Sequence, residues 1–245
     1  MTRGLPFVDG AGAAALVARG ATVLDTRGST SFYAGHLPGA QRADWRAVTT
    51  GGFRSGTLGE PAAVAAVYAG LGVDRGRPVL VVGDWTAGWG EEGRIAWDLT
   101  RLGHPEVRIL TEGMAAWTGA TEHLPGRARI GSFTAAPRPE LRITTAELAA
   151  AITRAAPPLV LDVREPEEFA GATLYMEARG GHVPGAQNMP WKGILSADPA
   201  LPRDRDLVVY CTGGVRSAMA WAALTGWGYT RVRNDDGSWW EWARG

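Results

Sequence analysis

The feature that most constrains this chain is that it repeats itself. Ala21-Thr22-Val23-Leu24-Asp25-Thr26-Arg27 matches Leu159-Val160-Leu161-Asp162-Val163-Arg164, and Phe32 and Phe169 each follow the arginine by five residues. His36-Leu37-Pro38-Gly39-Ala40-Gln41 then matches His182-Val183-Pro184-Gly185-Ala186-Gln187, and Trp45 and Trp191 follow at equal spacing. Val79-Leu80-Val81-Val82-Gly83-Asp84 matches Leu207-Val208-Val209-Tyr210-Cys211. Features recurring in one order over half a chain mark a duplicated unit. The offset between copies grows at the second feature and shrinks at the third. The second copy therefore carries an insertion, Ala172 to Gly181, and a shorter middle. Ala135-Ala136-Pro137-Arg138-Pro139 reads as the linker. The expected domains are 1–134 and 138–245.

Each copy reads as alternating strands and helices. Val/Leu runs at Thr22 to Asp25, Val79 to Gly83, Leu159 to Asp162 and Leu207 to Tyr210 lack polar alternation, as strands buried on both faces do. Ala-rich stretches such as Pro61 to Leu71 and Thr144 to Ala155 read as helices, the second with Thr145 as its cap. This alternation predicts an α/β fold: two domains, each a parallel sheet with helices on both faces. Ligands of such sheets bind beyond the carboxyl ends of the strands, and Cys211 stands at one.

Tyr210-Cys211-Thr212-Gly213-Gly214-Val215-Arg216-Ser217 carries the chemistry. A strand ends at the cysteine, two glycines permit a tight loop, and a helix is expected from about Ser217 to Thr225 with Gly226 closing it. A thiol beside inward-turned N–H groups, a helix N-terminus and the permanent cation of Arg216 is biased toward thiolate, the nucleophilic form. An ordinary buried cysteine would not call for Gly213, Gly214 and Arg216 around it.

Whole-chain properties exclude several classes. The 245 residues have formal charge +0, which offers no electrostatic argument for a nucleic-acid or membrane partner. One cysteine forms neither an internal disulfide nor an all-cysteine metal site, and it fits a reducing cytoplasm. Met1 to Arg27 lacks the pattern of a secretory signal, and no apolar run reaches the length of a membrane span.

The Asp-x-Arg pairs, the Gly-His-x-Pro-Gly-Ala segments at Gly35 to Ala40 and Gly181 to Ala186, the Cys211 loop, and Asp236-Gly237-Ser238-Trp239 with Trp242 resemble the rhodanese family of sulfurtransferases in two copies. The resemblance implies that Cys211 carries sulfur as a persulfide and that Thr212, Gly213, Gly214, Val215, Arg216 and Ser217 cradle the substrate. It implies a sulfur donor such as thiosulfate or 3-mercaptopyruvate, and as acceptor a thiol, cyanide or a protein. It implies no metal and no organic cofactor. Four residues separate Cys211 from Arg216; the related phosphatase and arsenate-reductase loops have five, a wider ring suited to a tetrahedral oxyanion. A non-catalytic binding module on the same fold is the other alternative.

In the first copy the cysteine position is read as Asp84, which leaves that copy catalytically silent. Its following stretch is aromatic and acidic: Glu91 and Glu92 suit the positive end of a helix, and Trp85 or Trp89 is a candidate wall of the site. Thr212 and Gly213 stand where thiosulfate-preferring members tend to carry basic residues. Gly213 also replaces the serine of the mercaptopyruvate-type loop. Glu168 aligns with a substrate-binding arginine of tandem members, and Arg179 in the insertion is the candidate substitute. Asp162, Arg164 and His182 are read as scaffold, since Asp25, Arg27 and His36 persist without a thiol.

Overall fold

The computed structural model describes residues 6–124, 126 and 129–245. They form two units. Thr49–Leu58 joins Pro139–Gly245 in one, and the remaining described residues up to Arg138 form the other.

The unit built on the first repeat contains β1 (Phe7–Val8), α1 (Gly10–Ala18), β2 (Thr22–Asp25), α2 (Ser29–Ala34), β3 (Gln41–Arg42), α3 (Pro61–Gly70), β4 (Val79–Val82), α4 (Glu91–Arg101) and β5 (Val107–Leu110). Among the described residues its sheet has the order β1-β5-β4-β2-β3, all parallel. The unit built on the second repeat contains β6 (Arg142–Ile143), α5 (Thr145–Ala151), β7 (Leu159–Asp162), α6 (Pro166–Ala170), β8 (Gln187–Asn188), α7 (Trp191–Ser196), β9 (Leu207–Tyr210), α8 (Val215–Gly226), β10 (Val232–Asp235) and α9 (Ser238–Trp242). Its sheet has the same order in kind, β6-β10-β9-β7-β8, again all parallel. The expected α/β architecture is present in both copies.

The central strands β4 and β9 are buried along their whole length, as their unbroken Val/Leu sequence demands. In the second unit the chain runs from β7 outward to the edge strand β8, then crosses back to β9 on the other side of β7. That reversal opens a crevice at the carboxyl end of β9, where Cys211 sits.

Several local expectations shift. Thr144, not Thr145, caps α5: its hydroxyl accepts the Glu147 N–H, and the Glu147 carboxylate accepts the Thr144 N–H, a reciprocal capping box. Thr145 instead donates its hydroxyl to Asp235. Helix α8 begins at Val215, two residues before the expected start, with Gly214 as a left-handed N-cap. It closes at Gly228 rather than Gly226. Gly228 has φ +90, its N–H reaches Thr225 O and the Tyr229 N–H reaches Leu224 O, the paired bonds of a Schellman ending.

The scaffold residues form the same device twice. Arg27 grips both Asp25 oxygens and donates to Gly35 O at 2.7 Å; Arg164 grips Asp162 and donates to Gly181 O at 2.8 Å. His36 stacks on Phe32 at 3.9 Å, and His182 on Phe169 at 3.8 Å, each with Nδ1 against the carbonyl of its phenylalanine. These pairs tie the loop after the first long strand to the Pro-Gly-Ala segment in either copy.

Candidate active site

The loop after β9 folds its main chain around one sulfur. The Gly214 N–H points at Cys211 Sγ at 3.1 Å, and the Ser217 hydroxyl lies 3.6 Å from it. Gly214 reaches this arrangement in the left-handed region, φ +77, where a side chain would be strained. Gly213 has a different reason to be glycine: a Cβ there would stand 2.4 Å from the Trp240 ring. The 12-residue helix α8 begins at the loop, so its positive end adds to the field on the sulfur. Thr212, Gly213, Gly214, Arg216 and Ser217 are thus gathered around Cys211, and Val215 opens the helix, mostly buried.

The other groups of Cys211 are fixed from α9. Its N–H donates to Ser238 Oγ at 3.1 Å, and its carbonyl accepts the Trp239 N–H at 3.0 Å. Ser238 holds this position with φ +52, unusual for a residue with a side chain. Its hydroxyl donates in turn to Asp235 O at 2.6 Å.

Arg216 does not stand alone. Its two terminal nitrogens reach the Glu168 carboxylate at 2.6 and 2.7 Å, and one also reaches Thr212 Oγ1 at 2.6 Å. Thr212 donates its own hydroxyl to Glu168 at 2.8 Å. The pair is buried, with Glu168 at 0% exposure, and the charge-assisted fork satisfies it. Burial pushes the Glu168 carboxyl up, but Arg216 and the Thr212 hydroxyl outweigh that and hold it below the usual carboxylate range. Burial likewise opposes ionisation of Cys211. The Arg216 charge, then hydrogen bonds from Ser217 and Gly213, overcome it and hold the thiol below its ordinary value.

Two further segments cover this loop. Thr49–Leu58 is a strap closed on itself by a Thr49–Leu58 bridge and the Thr50 N–H to Thr57 O bond. Its Gly56 lies so close that an added Cβ would fall 2.0 Å from Gly213 O and 2.3 Å from Asp236 O. The Leu58 N–H donates to Asp236, both of whose oxygens Arg142 also grips. The insertion contributes Tyr175, whose ring lies 5.6 Å from the Arg216 guanidinium and whose carbonyl accepts Trp240 Nε1. Arg54 of the strap donates to Met176 O. The result is a thiol sheltered to 1% exposure, with polar donors aimed at its sulfur.

Arg179, the expected substitute cation, is exposed. It donates to Trp242 O at 3.2 Å and lies over the Trp239 ring; the cation facing Cys211 is Arg216. The strap, the bond from the Cys211 N–H to Ser238 and the Glu168–Arg216 pairing are not readable from the sequence alone. Of these, Glu168 carries a signal, an acid where tandem members of the family have a substrate-binding arginine.

In the first unit the matching position needs correction. Asp25 pairs with Val82 as Asp162 pairs with Tyr210, so the residue in register with Cys211 is Gly83, not Asp84. The Met114 N–H donates to Gly83 O as that of Trp239 does to Cys211 O. A Cβ on Gly83 would meet Glu92 Oε2 at 2.3 Å. A carboxylate therefore fills the place where the thiol stands in the second unit. Its Oε1 accepts the Trp85 N–H at 3.0 Å, and among the described residues its buried Oε2 has no hydrogen-bond partner. Burial pushes Glu92 up to about 8. Trp85 packs edge-on against Phe7, and Trp89 is exposed.

Comparison with known proteins agrees with this geometry. The Rhodanese-like domain family matches residues 11–120 and again 144–244. A thiosulfate sulfurtransferase of Corynebacterium glutamicum is 30% identical over 256 residues, covering 91% of this chain and 82% of the relative. The sulfur carrier protein TtuD of Thermus thermophilus is 29% identical over 239 residues, covering 85% and 82%. The crystal structure of SseA from Escherichia coli, a 3-mercaptopyruvate sulfotransferase with the rhodanese fold, superposes with a TM-score of 0.82 at 24% identity over 96% of this chain and 99% of that one. With the domain present twice and the thiol loop in its second copy, this chain belongs to the rhodanese family of sulfurtransferases.

Proposed function

We propose that Cys211 is the nucleophile and that it carries sulfane sulfur as a persulfide between a small donor and a thiophilic acceptor. The observation that carries this reading is the sulfur itself, faced by the Gly214 N–H and the Ser217 hydroxyl and biased toward thiolate by Arg216. The thiolate attacks the outer sulfur of the donor. The Sγ–S bond forms, the donor's bond to that sulfur breaks, and its electron pair leaves with the remainder: sulfite from thiosulfate, the pyruvate enolate from 3-mercaptopyruvate. An acceptor thiolate or cyanide then attacks the outer sulfur and returns the Cys211 thiolate. The loop N–H groups and Arg216 stabilise the charge that develops on sulfur in both halves, and the kinetics are ping-pong.

The donor classes follow from the names of the relatives, and a protein acceptor is consistent with the sulfur-carrier relative. No helix among the described residues is long and apolar enough to cross a membrane. We assign the protein to the cytoplasm, supported by its single, unpaired cysteine.

Treatment with thiosulfate or 3-mercaptopyruvate should add the mass of one sulfur atom, removable by cyanide. Cys211→Ser should lose both the mass gain and at least ~10³-fold in turnover while its circular dichroism is unchanged. Transfer that persists in Cys211→Ser would refute the assignment.

A further inference from the structure

The strap and the segment around α9 line an open cavity of about 290 Å³ that the proposed reaction does not use. Its walls carry the hydroxyl residues Thr50, Ser55 and Thr57, together with Arg54, Arg244 and Glu241. The acid is already engaged: Glu241 Oε2 accepts the Thr57 hydroxyl at 3.1 Å. The two guanidinium groups are not. Arg54 donates to Met176 O and Arg244 to Arg54 O, both main-chain carbonyls, and neither has a carboxylate within ion-pair distance among the described residues. Each guanidinium offers five donors, so most of this capacity faces the cavity or solvent.

The cavity is lined by the two elements packed against the thiol loop. Gly237, which lines it, precedes Ser238, whose hydroxyl holds the Cys211 N–H. Ser55 and Thr57 flank Gly56, which lies against the Gly213 carbonyl. A ligand seated here touches the two elements that shelter the sulfur. Two guanidinium groups against one engaged carboxylate, with hydroxyls between, suit a small oxyanion held by charge-assisted hydrogen bonds.

We propose that this cavity is an oxyanion subsite that holds the carboxylate or sulfur-oxyanion group of a reactant of Cys211. The inference rests on the sulfurtransferase reading for the identity of the ligand, but not for the existence of the site. Inorganic sulfate is the probe. Titrated calorimetrically into Cys211→Ala protein at low ionic strength, it should bind saturably. Arg244→Gln, at the exposed penultimate residue, should weaken it about tenfold, and Arg54→Gln with Arg244→Gln should abolish it. Absence of saturable binding, or binding unchanged in these variants, overturns the site.

Kinetics on the thiol-bearing protein distinguish the source of the anion. A donor seated here makes KM for thiosulfate rise about tenfold in Arg244→Gln. An acceptor seated here makes the preference for 3-mercaptopropionate over 2-mercaptoethanol fall by a similar factor. If neither moves, the assignment to the reaction is overturned. If the parent protein forms no persulfide, the sulfurtransferase reading falls while the sulfate titration still decides the cavity.

Discussion

The two strand-end loops began as one design and now hold different acidic groups in the same place. After β9 the space is filled by a thiol, with Arg216 as the second residue of the following helix. After β4 it is filled by the carboxylate of Glu92, the second residue of α4. Both helices start from a left-handed glycine, Gly214 at φ +77 and Gly90 at φ +80. The left-handed glycine that starts the helix has thus been kept in both. In the first unit the chain supplies its own acid where the second holds a reactive sulfur. One loop is filled by the chain's own acid and the other surrounds the thiol. The sheet order is the same in both; the loops differ in these side chains and in length.

The sharpest way to break the comparison is to remove the cation. Arg216→Met leaves Glu168 buried without its partner, a change that typically costs about 3–5 kcal/mol. It should also raise the Cys211 thiol, moving the pH profile of iodoacetamide alkylation upward. Pairing it with Glu168→Leu should recover most of the stability in urea titrations but leave the alkylation profile high. Recovery of both would mean that Arg216 serves only the fold.

A smaller effect tests the filled nest. Glu92 is raised to about 8 by burial, so the folded state binds its proton more tightly than the unfolded chain does. Its protonated form is the one the fold favours. Stability is unpenalised below the ordinary carboxylate range and is lost progressively as pH rises toward about 8. Glu92→Gln, which cannot ionise, should gain on the parent in melting temperature as pH climbs through that window. A constant difference would show that the carboxylate does not titrate there.

The smallest expected change concerns Ser238. Its counterpart Gly113 sits at φ +61 without strain, whereas Ser238 holds φ +52. Ser238→Gly relieves about 1 kcal/mol of left-handed strain but loses the bond to the Cys211 N–H, worth about the same. Net stability by denaturant titration should stay within ~1 kcal/mol. Ser238→Ala keeps the strain and loses the bond, and should be the less stable of the two.

Local chemistry made much of this legible in the sequence. Unbroken Val/Leu runs specify buried strands, and Cys211 followed by Gly213, Gly214 and Arg216 specifies the tight loop. The Asp–Arg and Phe–His pairs, being close in the chain, were visible as repeats. Relations set by distance were not. Glu168 lies 48 residues from Arg216, and nothing in either segment alone announces that the arginine is already partnered. Matching the two Val/Leu runs by sequence places Asp84 against Cys211. Strand register decides otherwise, since the first loop reaches its left-handed glycine at Gly90 by a longer path than Cys211 takes to Gly214. Thr49–Leu58 carries no mark of belonging with residues 139–245.

That loan of ten residues has a consequence for how the duplication can be taken apart. A gene cut at the repeat boundary would not release a finished catalytic half: the fragment would lack the backbone that seals Gly213 and the N–H that Asp236 accepts from Leu58. The first copy has become a donor of parts, and the ancestral symmetry survives in outline while the two halves have ceased to be separable inheritance.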